Sequence, residues 1–350
     1  MNKIKSLIIA GTWQFGYGSG TDSYSQELSK EYSITYICFD QGKEKIVTKD
    51  VKVEYVIENQ NRLIRKIKFL LLVYKSIIKS KKPIVYVTYF RLCFLIPLFF
   101  PFTKSIVDYR SGNVSNLKRK RILKNALMRY ESFFFKKRVA ISKELIAHLK
   151  LPKDSIVLPV GSEIKSTHNK SFDKFNILYV GVLTNRNIDE TIYGVSKFNE
   201  KHPGVLNHYH IIGKGDTEKI KNEIKKYRLQ DKVTIHGYLS KEKLQSFYDT
   251  CNVGICYAPM TEYYMPQPFT KLYEYVLAGM SVVSVRLNDS VERVDNKIGV
   301  LCQDNTKSFF LALEELYLKR KILDSNFIRE QFTPFLWENL SNNFKEIIDE

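Results

Sequence analysis

The stretch PFTKLYEYVLAGMSVVSV, residues 268–285, sets a proline before an aromatic-rich helical run, breaks that run at Gly279 and continues at once as a Val/Ser strand pattern. Pro268 suits the first turn of a helix, where its missing N–H costs nothing. Lys271 and Glu274 are three apart and so share one face of the first two turns. A carboxylate there suits the two hydroxyls of a ribose, and the ammonium with the helix N–H groups suits a phosphate. A Glu and a Lys near a helix start are also ordinary surface choices, so the neighbouring segments have to decide.

Upstream of this stretch, NILYVGVL (176–183), HYHIIGKGD (208–216), KVTIHGYL (232–239) and CNVGICYAP (251–259) are short apolar runs separated by helical segments. The first part of the chain repeats the alternation with SLIIA after the amino terminus, ITYICFD (34–40), PIVYVTYF (83–90) and SIVDYR (105–110). Strands alternating with helices imply parallel sheets covered on both faces. The polar, turn-rich segment near 161–174 fits a linker. We therefore expect an α/β protein of two doubly wound, Rossmann-like domains facing a central cleft, spanning 1–164 and 165–330. Residues 331–350 form a final helix packing back on the first domain, with Phe335, Leu336, Leu340, Phe344 and Ile347 or Ile348 available for contact. Ligands in such sheets lie at the carboxyl ends of the strands.

Several loops on that rim carry candidate residues. GVLTNRN (181–187) offers Gly181, Asn185 and Arg186, the last able to reach a diphosphate. In GKGD, Gly213 and Gly215 permit close backbone approach, although a Gly-x-Gly also makes a plain tight turn. HGYL brings His236, Gly237 and Tyr238 to a strand end; the histidine suits a base or sugar contact equally with a partly buried structural place. In the first part GYGSG (16–20), with Gly18 at its centre, presents backbone donors without the lysine of a P-loop. Asp108 and Arg110 follow a strand, where Asp108 reads either as a catalytic base or as a salt-bridge partner of Arg110.

Charge narrows the partners. Residues 62–138 hold twenty Lys or Arg against two acids, so this window carries the whole formal +18 of the chain. RLIRKIKFLLLVYKSIIKSKK (62–82) and KRKRILKNALMRYESFFFKKR (118–138) mix cations with apolar residues at helical spacing, a pattern suited to anionic lipid headgroups. Lysines flanking an ordinary core stripe give the same pattern. No zinc-finger spacing, RNA-binding signature or reading helix points to nucleic acid. The five cysteines lack ligand spacing and read as reduced, buried thiols with no metal. No apolar run approaches the roughly 20 residues of a membrane span, and no signal peptide is evident. A cytoplasmic protein peripheral to the inner face of the cell membrane is the expected setting.

With those residues in view, the chain resembles the GT-B glycosyltransferases of family 4, also called group 1, most strongly over 176–303. NILYVGVL, HIIGKGD and KVTIHGYL are similar to the first strands of the donor domain, and PFTKLYEYVLAGMSVVSV to its most specific segment, whose glutamate, here Glu274, contacts the donor ribose. The resemblance implies transfer of a sugar from a UDP- or GDP-sugar to a hydroxyl of a glycan or lipid-linked acceptor in surface polysaccharide synthesis. It further implies retention of anomeric configuration and no metal or other cofactor. Pro268, Phe269, Thr270 and Leu272 join Glu274 in the nucleotide site, while Arg186 and Lys271 stabilise the leaving diphosphate and Asp108 is the candidate base. Two departures stand out: Pro266 occupies the place of a first glutamate, with Glu262 out of register, and Val182 replaces a common arginine. A non-catalytic nucleotide-sugar-binding partner or a GT-B epimerase are the rival expectations.

Overall fold

A parallel strand pair needs a crossover, and a right-handed helical crossover returns each strand beside its neighbour with both sheet faces covered. The chain is built this way twice. A computed structural model describes residues 5–18, 20–57 and 61–349; residues 1–4 of the amino-terminal run and Ser19 of the glycine loop lie outside the described residues. The chain divides into two units, one running to Val160 and resuming at Trp337, the other spanning Gly161–Leu336.

The first unit contains β1 (Lys5–Ala10), α1 (Thr21–Leu28), β2 (Tyr32–Asp40), β3 (Val51–Ile57), α2 (Arg62–Lys79), β4 (Ile84–Thr88), α3 (Leu95–Phe99), β5 (Lys104–Tyr109), α4 (Lys118–Ser132), β6 (Lys137–Ala140), α5 (Lys143–Leu149) and β7 (Ile156–Val157). Its seven strands are parallel in the order β3-β2-β1-β4-β5-β6-β7. The second unit contains β8 (Phe175–Val180), α6 (Ile188–Lys201), β9 (Leu206–Ile212), α7 (Glu218–Lys226), β10 (Val233–Gly237), α8 (Lys241–Thr250), β11 (Val253–Cys256), α9 (Thr270–Leu277), β12 (Ser281–Val285), α10 (Asn288–Arg293), β13 (Gly299–Cys302), α11 (Thr306–Leu318) and α12 (Ser325–Glu330). Its six parallel strands run β10-β9-β8-β11-β12-β13. Both sheets are doubly wound and Rossmann-like, reversing direction between β1 and β4 and between β8 and β11.

Chain order then returns to the first unit in α13 (Trp337–Asp349). Leu340, Phe344, Ile347 and Ile348 of this helix are buried in the first unit's core. Phe344 packs between Tyr24 and Tyr86, with ring centroids 4.8 Å and 4.5 Å away, and Asp349 takes hydrogen bonds from Lys5 and Tyr32. Phe335 and Leu336, expected on this helix, precede it and fall in the second unit, where Phe335 meets the ring of Tyr273 at 5.1 Å.

The second unit's core is organised around α9. Pro268 does not enter its first turn; Phe269 is the N-cap and Thr270 the first helical residue. Tyr275 is wholly buried and its hydroxyl accepts from Val180 N at 2.8 Å, at the carboxyl end of β8. To reach that atom its ring crosses β11 at Gly254, where a Cβ would lie 2.4 Å from the ring. On the other flank the Tyr273 hydroxyl donates to Asp289 at 2.8 Å. The five cysteines are buried and unpaired, and among the described residues no helix is long and apolar enough to cross a membrane.

The Gly254→Ala substitution forces Tyr275 from its path and is expected to destabilise the protein by about 1–3 kcal/mol, the usual range for overpacking. Thermal unfolding followed by circular dichroism should show a fall in Tm of several degrees.

Candidate functional site

In an open parallel sheet the ligand crevice lies beyond the carboxyl ends of the strands where winding reverses, in the second unit between β8 and β11. The loops leaving β8, β9 and β10 are pinned to one another by backbone hydrogen bonds: Gly181 N to Ile212 O at 2.9 Å, Leu183 N to Lys214 O at 2.9 Å and Gly213 N to Gly237 O at 2.8 Å. A Cβ on Gly213 would sit 1.7 Å from Gly181 O, so only glycine allows this approach. Gly181, Gly213 and Gly237 thus stand side by side, and Gly215 continues the same turn beside Thr184. Asn185 and Asn187 adopt left-handed backbone, φ 59° and 53°, which asparagine tolerates better than most residues. Between them Arg186 lays its guanidinium over the ring of Tyr264 at 4.4 Å. A stacked guanidinium still directs its N–H groups outward in its own plane. Tyr238 is exposed, with Lys214 Nζ 4.4 Å above its ring.

Glu274 and Lys271 are half-buried residues of α9, set among the buried Leu272, Tyr273 and Tyr275. Lys271 Nζ donates to Glu274 Oε2 at 2.5 Å, and the buried Tyr248 hydroxyl donates to the same oxygen. Burial pushes the Glu274 carboxyl up, but the charges of Lys271 and Lys165 and these two hydrogen bonds more than offset it and hold it below the usual carboxylate range. Burial and the neighbouring Glu274 charge in turn push the Tyr248 phenol well up, so it remains a donor. The pair lies close enough to Cys256, the last residue of β11, to influence its thiol electrostatically. Thr270 is exposed at the helix start, while Phe269 and Pro268 are half-buried. Leu272 is wholly buried; its side chain belongs to the core, which leaves only its backbone to face a ligand.

His236 is engaged by the protein itself. Its Nε2 shares a hydrogen bond with His210 Nδ1 at 3.0 Å, Phe247 meets both rings edge-on at 5.0 Å, and His208 stacks near His210 at 4.5 Å while bonding Thr234 at 2.8 Å. Burial first, then the neighbouring imidazoles, pushes His210 down to about 4, and His208 and His236 also shift down.

In the first unit Asp108 lies within β5, one residue before its end and not after the strand as expected, wholly buried, and Arg110 Nε donates to its Oδ2 at 2.6 Å. Burial pushes the carboxyl up and the Arg110 guanidinium opposes that. The salt bridge, one of the two readings of Asp108, is thus present, and the carboxylate has no exposed surface to offer a hydroxyl. Gly18 is in a loop beside Trp13 and the hydroxyl of Tyr36. Tyr248, Lys214 and Tyr264 are the site residues that sequence reasoning missed. Tyr248 stands 26 residues before Glu274 with no local pattern linking them, whereas Lys214 was visible between the two glycines it separates.

A doubly wound sheet in each unit is the architecture of the GT-B fold, and the second unit adds a helix-borne Lys/Glu pair and glycine-pinned loops. Residues 174–319 match the family model described as Glycosyl transferases group 1, the domain that carries this site. No curated protein matches the sequence. Among solved structures the chain is similar to the sucrose-phosphate synthase of Thermosynechococcus elongatus, at TM-score 0.74 and 14% identity with 98% of each chain covered. It is also similar to Anabaena HepE in complex with UDP and glucose, at TM-score 0.72 and 11% identity with 99% of each chain covered. The lipopolysaccharide outer core galactosyltransferase WaaB follows at TM-score 0.68 and 15% identity, again with 99% of each chain covered.

The histidine cluster sets a pH dependence. The unfolded chain binds protons on these rings near the ordinary imidazole value of about 6.5, before the folded chain does. Their contribution to stability is therefore complete above about pH 6.5 and declines as pH falls toward about 4, the folded value at His210. Urea titrations at pH 7.5 and pH 5 should show a lower midpoint at the acid pH, and His210→Gln should narrow the difference.

Proposed function

We infer that the protein transfers a sugar from a nucleotide-diphosphate donor, a UDP- or GDP-sugar, to a hydroxyl of a glycan or lipid-linked acceptor in surface polysaccharide synthesis, as a family 4 enzyme that retains anomeric configuration. The observation that carries this reading is the Lys271–Glu274–Tyr248 cluster. Both protein donors land on Oε2 of Glu274, which favours the ionised carboxylate and leaves Oε1 as the acceptor for the ribose hydroxyls. Similarity to a structure that holds UDP and glucose supports a uridine donor, and similarity to a lipopolysaccharide galactosyltransferase supports a cell-surface glycan.

Transfer breaks the bond between the anomeric carbon and the diphosphate oxygen while an acceptor oxygen forms the new bond and gives up its proton to the departing diphosphate. Negative charge grows on the departing diphosphate, and groups already aimed at it lower the barrier most. Arg186 is positioned for this, because stacking on Tyr264 fixes its plane and leaves its N–H edge to bind phosphate oxygens. The ammonium of Lys271 is shared with Glu274, so it contributes charge to the diphosphate and order to the carboxylate. Protein cations take this role without a divalent metal, as the family resemblance implies. Asn185, Gly215 and the exposed start of α9 supply backbone N–H groups, with Tyr238 as a surface for the base. Gly181, Gly213 and Gly237 let the loops close on one another, the Gly181 and Gly213 amides donating to Ile212 O and Gly237 O. His236 supports that rim through His210. Asp108 acts in the first unit by holding Arg110, and Gly18 keeps the loop after β1 open to an acceptor.

The acceptor is presented at an anionic membrane surface on the cytoplasmic side. α2 supports this beyond its charge. Phe69, Leu70, Val73 and Ile77 face the core, yet Leu63, Ile67, Leu71 and Ile78 form a second, exposed apolar stripe at spacings of four, four and seven. Lys68, Lys75 and Lys79 run beside that stripe. Lysines flanking a core stripe alone would leave no such second face.

The test is thermal stabilisation across UDP-, GDP-, ADP- and dTDP-sugars for the native protein and Glu274→Ala. Ligand at 100 times its Kd adds about 2.7 kcal/mol of stability, so one nucleotide class should raise Tm in the native protein and fail to do so in the variant. An equal shift in both proteins would remove Glu274 from the site. In the transfer reaction Arg186→Ala should lower kcat about 10²–10³-fold, the usual loss for a charge-stabilising donor.

A further inference from the structure

Away from the nucleotide site, the first unit carries two adjoining depressions that share a pair of lysines. One is an apolar groove of about 620 Å³ between α2 and the end of α3, walled by Leu71, Tyr74, Ile78, Phe99 and Phe100 with Lys75 and Lys79 at its rim. The other is a polar hollow of about 280 Å³ in which the same Lys75 and Lys79 meet Lys52, Ser76, Ser80, Thr35 and Glu54. Tyr74 shapes the groove: its hydroxyl donates to Leu95 O at 3.1 Å, and its ring meets Phe99 at 5.7 Å and Phe100 at 5.2 Å. The groove opens where apolar side chains already face water, with Ile78 73% and Phe102 97% exposed. α3 continues that surface toward the end of α4, through Phe94 against Phe134 at 5.0 Å and Lys136 Nζ on Phe102 O at 3.5 Å.

An apolar slot joined to a cationic hollow is the shape of an amphiphile with an anionic head. In the hollow three lysines face one carboxylate, and Lys52 is the one paired with it, at 2.5 Å; Lys75 and Lys79 outweigh the negative end of the α2 dipole and remain available to an anion. The serine hydroxyls add phosphate hydrogen-bond donors. A second copy of this chain would bring the same positive charge to the contact, which disfavours self-association there. Thr35 and Lys52 are register partners near the amino ends of β2 and β3, the side of the sheet away from its ligand crevice, so the site docks the protein and does not hold the acceptor.

We propose that this paired site binds one molecule of anionic phospholipid, its phosphate on Lys75 and Lys79 and one acyl chain along Leu71, Tyr74, Ile78 and Phe99. The proposal rests on the membrane reading above and adds a defined lipid seat to it. A bound lipid ties α2 and α3 to one depth in the headgroup layer, so the first unit meets the bilayer in a single orientation.

The test uses dihexanoyl phosphatidylglycerol below its micelle concentration, glycerol phosphate as the head alone, and vesicles of long-chain phosphatidylglycerol or phosphatidylcholine, each titrated calorimetrically. The native protein should bind the short-chain lipid saturably at one site and bind glycerol phosphate at least about tenfold more weakly. Ile78→Asp, an exposed position whose change spares the core, and the double variant Lys75→Ala with Lys79→Ala should each weaken short-chain lipid binding about tenfold or more. Equal binding of head and lipid would assign the hollow to free phosphate and overturn the acyl seat. Vesicle binding without saturable binding of the single lipid, or without an effect of Ile78→Asp, would leave the membrane reading standing and overturn this one. Failure to bind phosphatidylglycerol vesicles at all would overturn both.

Discussion

The hydrogen bond from Val180 N to the hydroxyl of Tyr275 is the constraint on which the second unit turns. It joins the first strand of the sheet to the helix that bears Lys271 and Glu274, across the point where winding reverses. Its geometry requires a strand with no side chain at Gly254, because the tyrosine ring occupies that space. An amide and a phenol buried together cannot turn to water if the bond is broken, so misplacing the helix leaves both unsatisfied. The rotation of α9 is therefore set from within, and Tyr273 on Asp289 sets it again from the other flank.

With Tyr273 and Tyr275 held in place, the 3.6-residue repeat also fixes the direction of Lys271, one turn before Tyr275, and of Glu274 beside it. A carboxylate in that position would take up a proton if it stood alone, since burial alone raises its pKa. Lys271, Lys165 and Tyr248 reverse that outcome, and the cost of burying the charge is offset by partners that also aim it. The opposite rim is built on backbone: Gly213 against Gly181, and Gly213 N on Gly237 O. A charged side-chain cluster on one side and a wall of peptide groups on the other are what a nucleotide diphosphate requires, one for the ribose and the other for oxygens that any N–H can serve.

Much of this was legible in the residues. Apolar runs after turn signals located most strands of both sheets, and the Pro-to-Gly stretch located α9 because helix and strand periodicity meet within it. β3, β6, β7 and β13 went unread: β3 is an edge strand that alternates Lys52 and Glu54 with Val51 and Val53, and β6, β7 and β13 are strands of four, two and four residues, too short to show a period. Glu274 and Lys271 could be paired from spacing, but Tyr248 could not, since only the fold brings α8 against α9. Asp108 shows the limit in the other sense. Its position near the carboxyl end of a strand is shared by catalytic and structural carboxylates, and only burial and the Arg110 contact separate them. The double apolar character of α2 was likewise hidden, because the cations between its two stripes give a single amphipathic signal.

The central claim is that the chain moves a sugar to an acceptor, and following the label itself tests it most directly. Purified protein incubated with radiolabelled nucleotide sugars and a detergent extract of bacterial membrane glycolipids should carry label from one donor into the lipid or glycan fraction. Glu274→Gln, which keeps the side chain's shape and removes its charge, should abolish most of that transfer. Label that stays in the nucleotide sugar, or returns as an epimerised donor without any acceptor, would contradict the account.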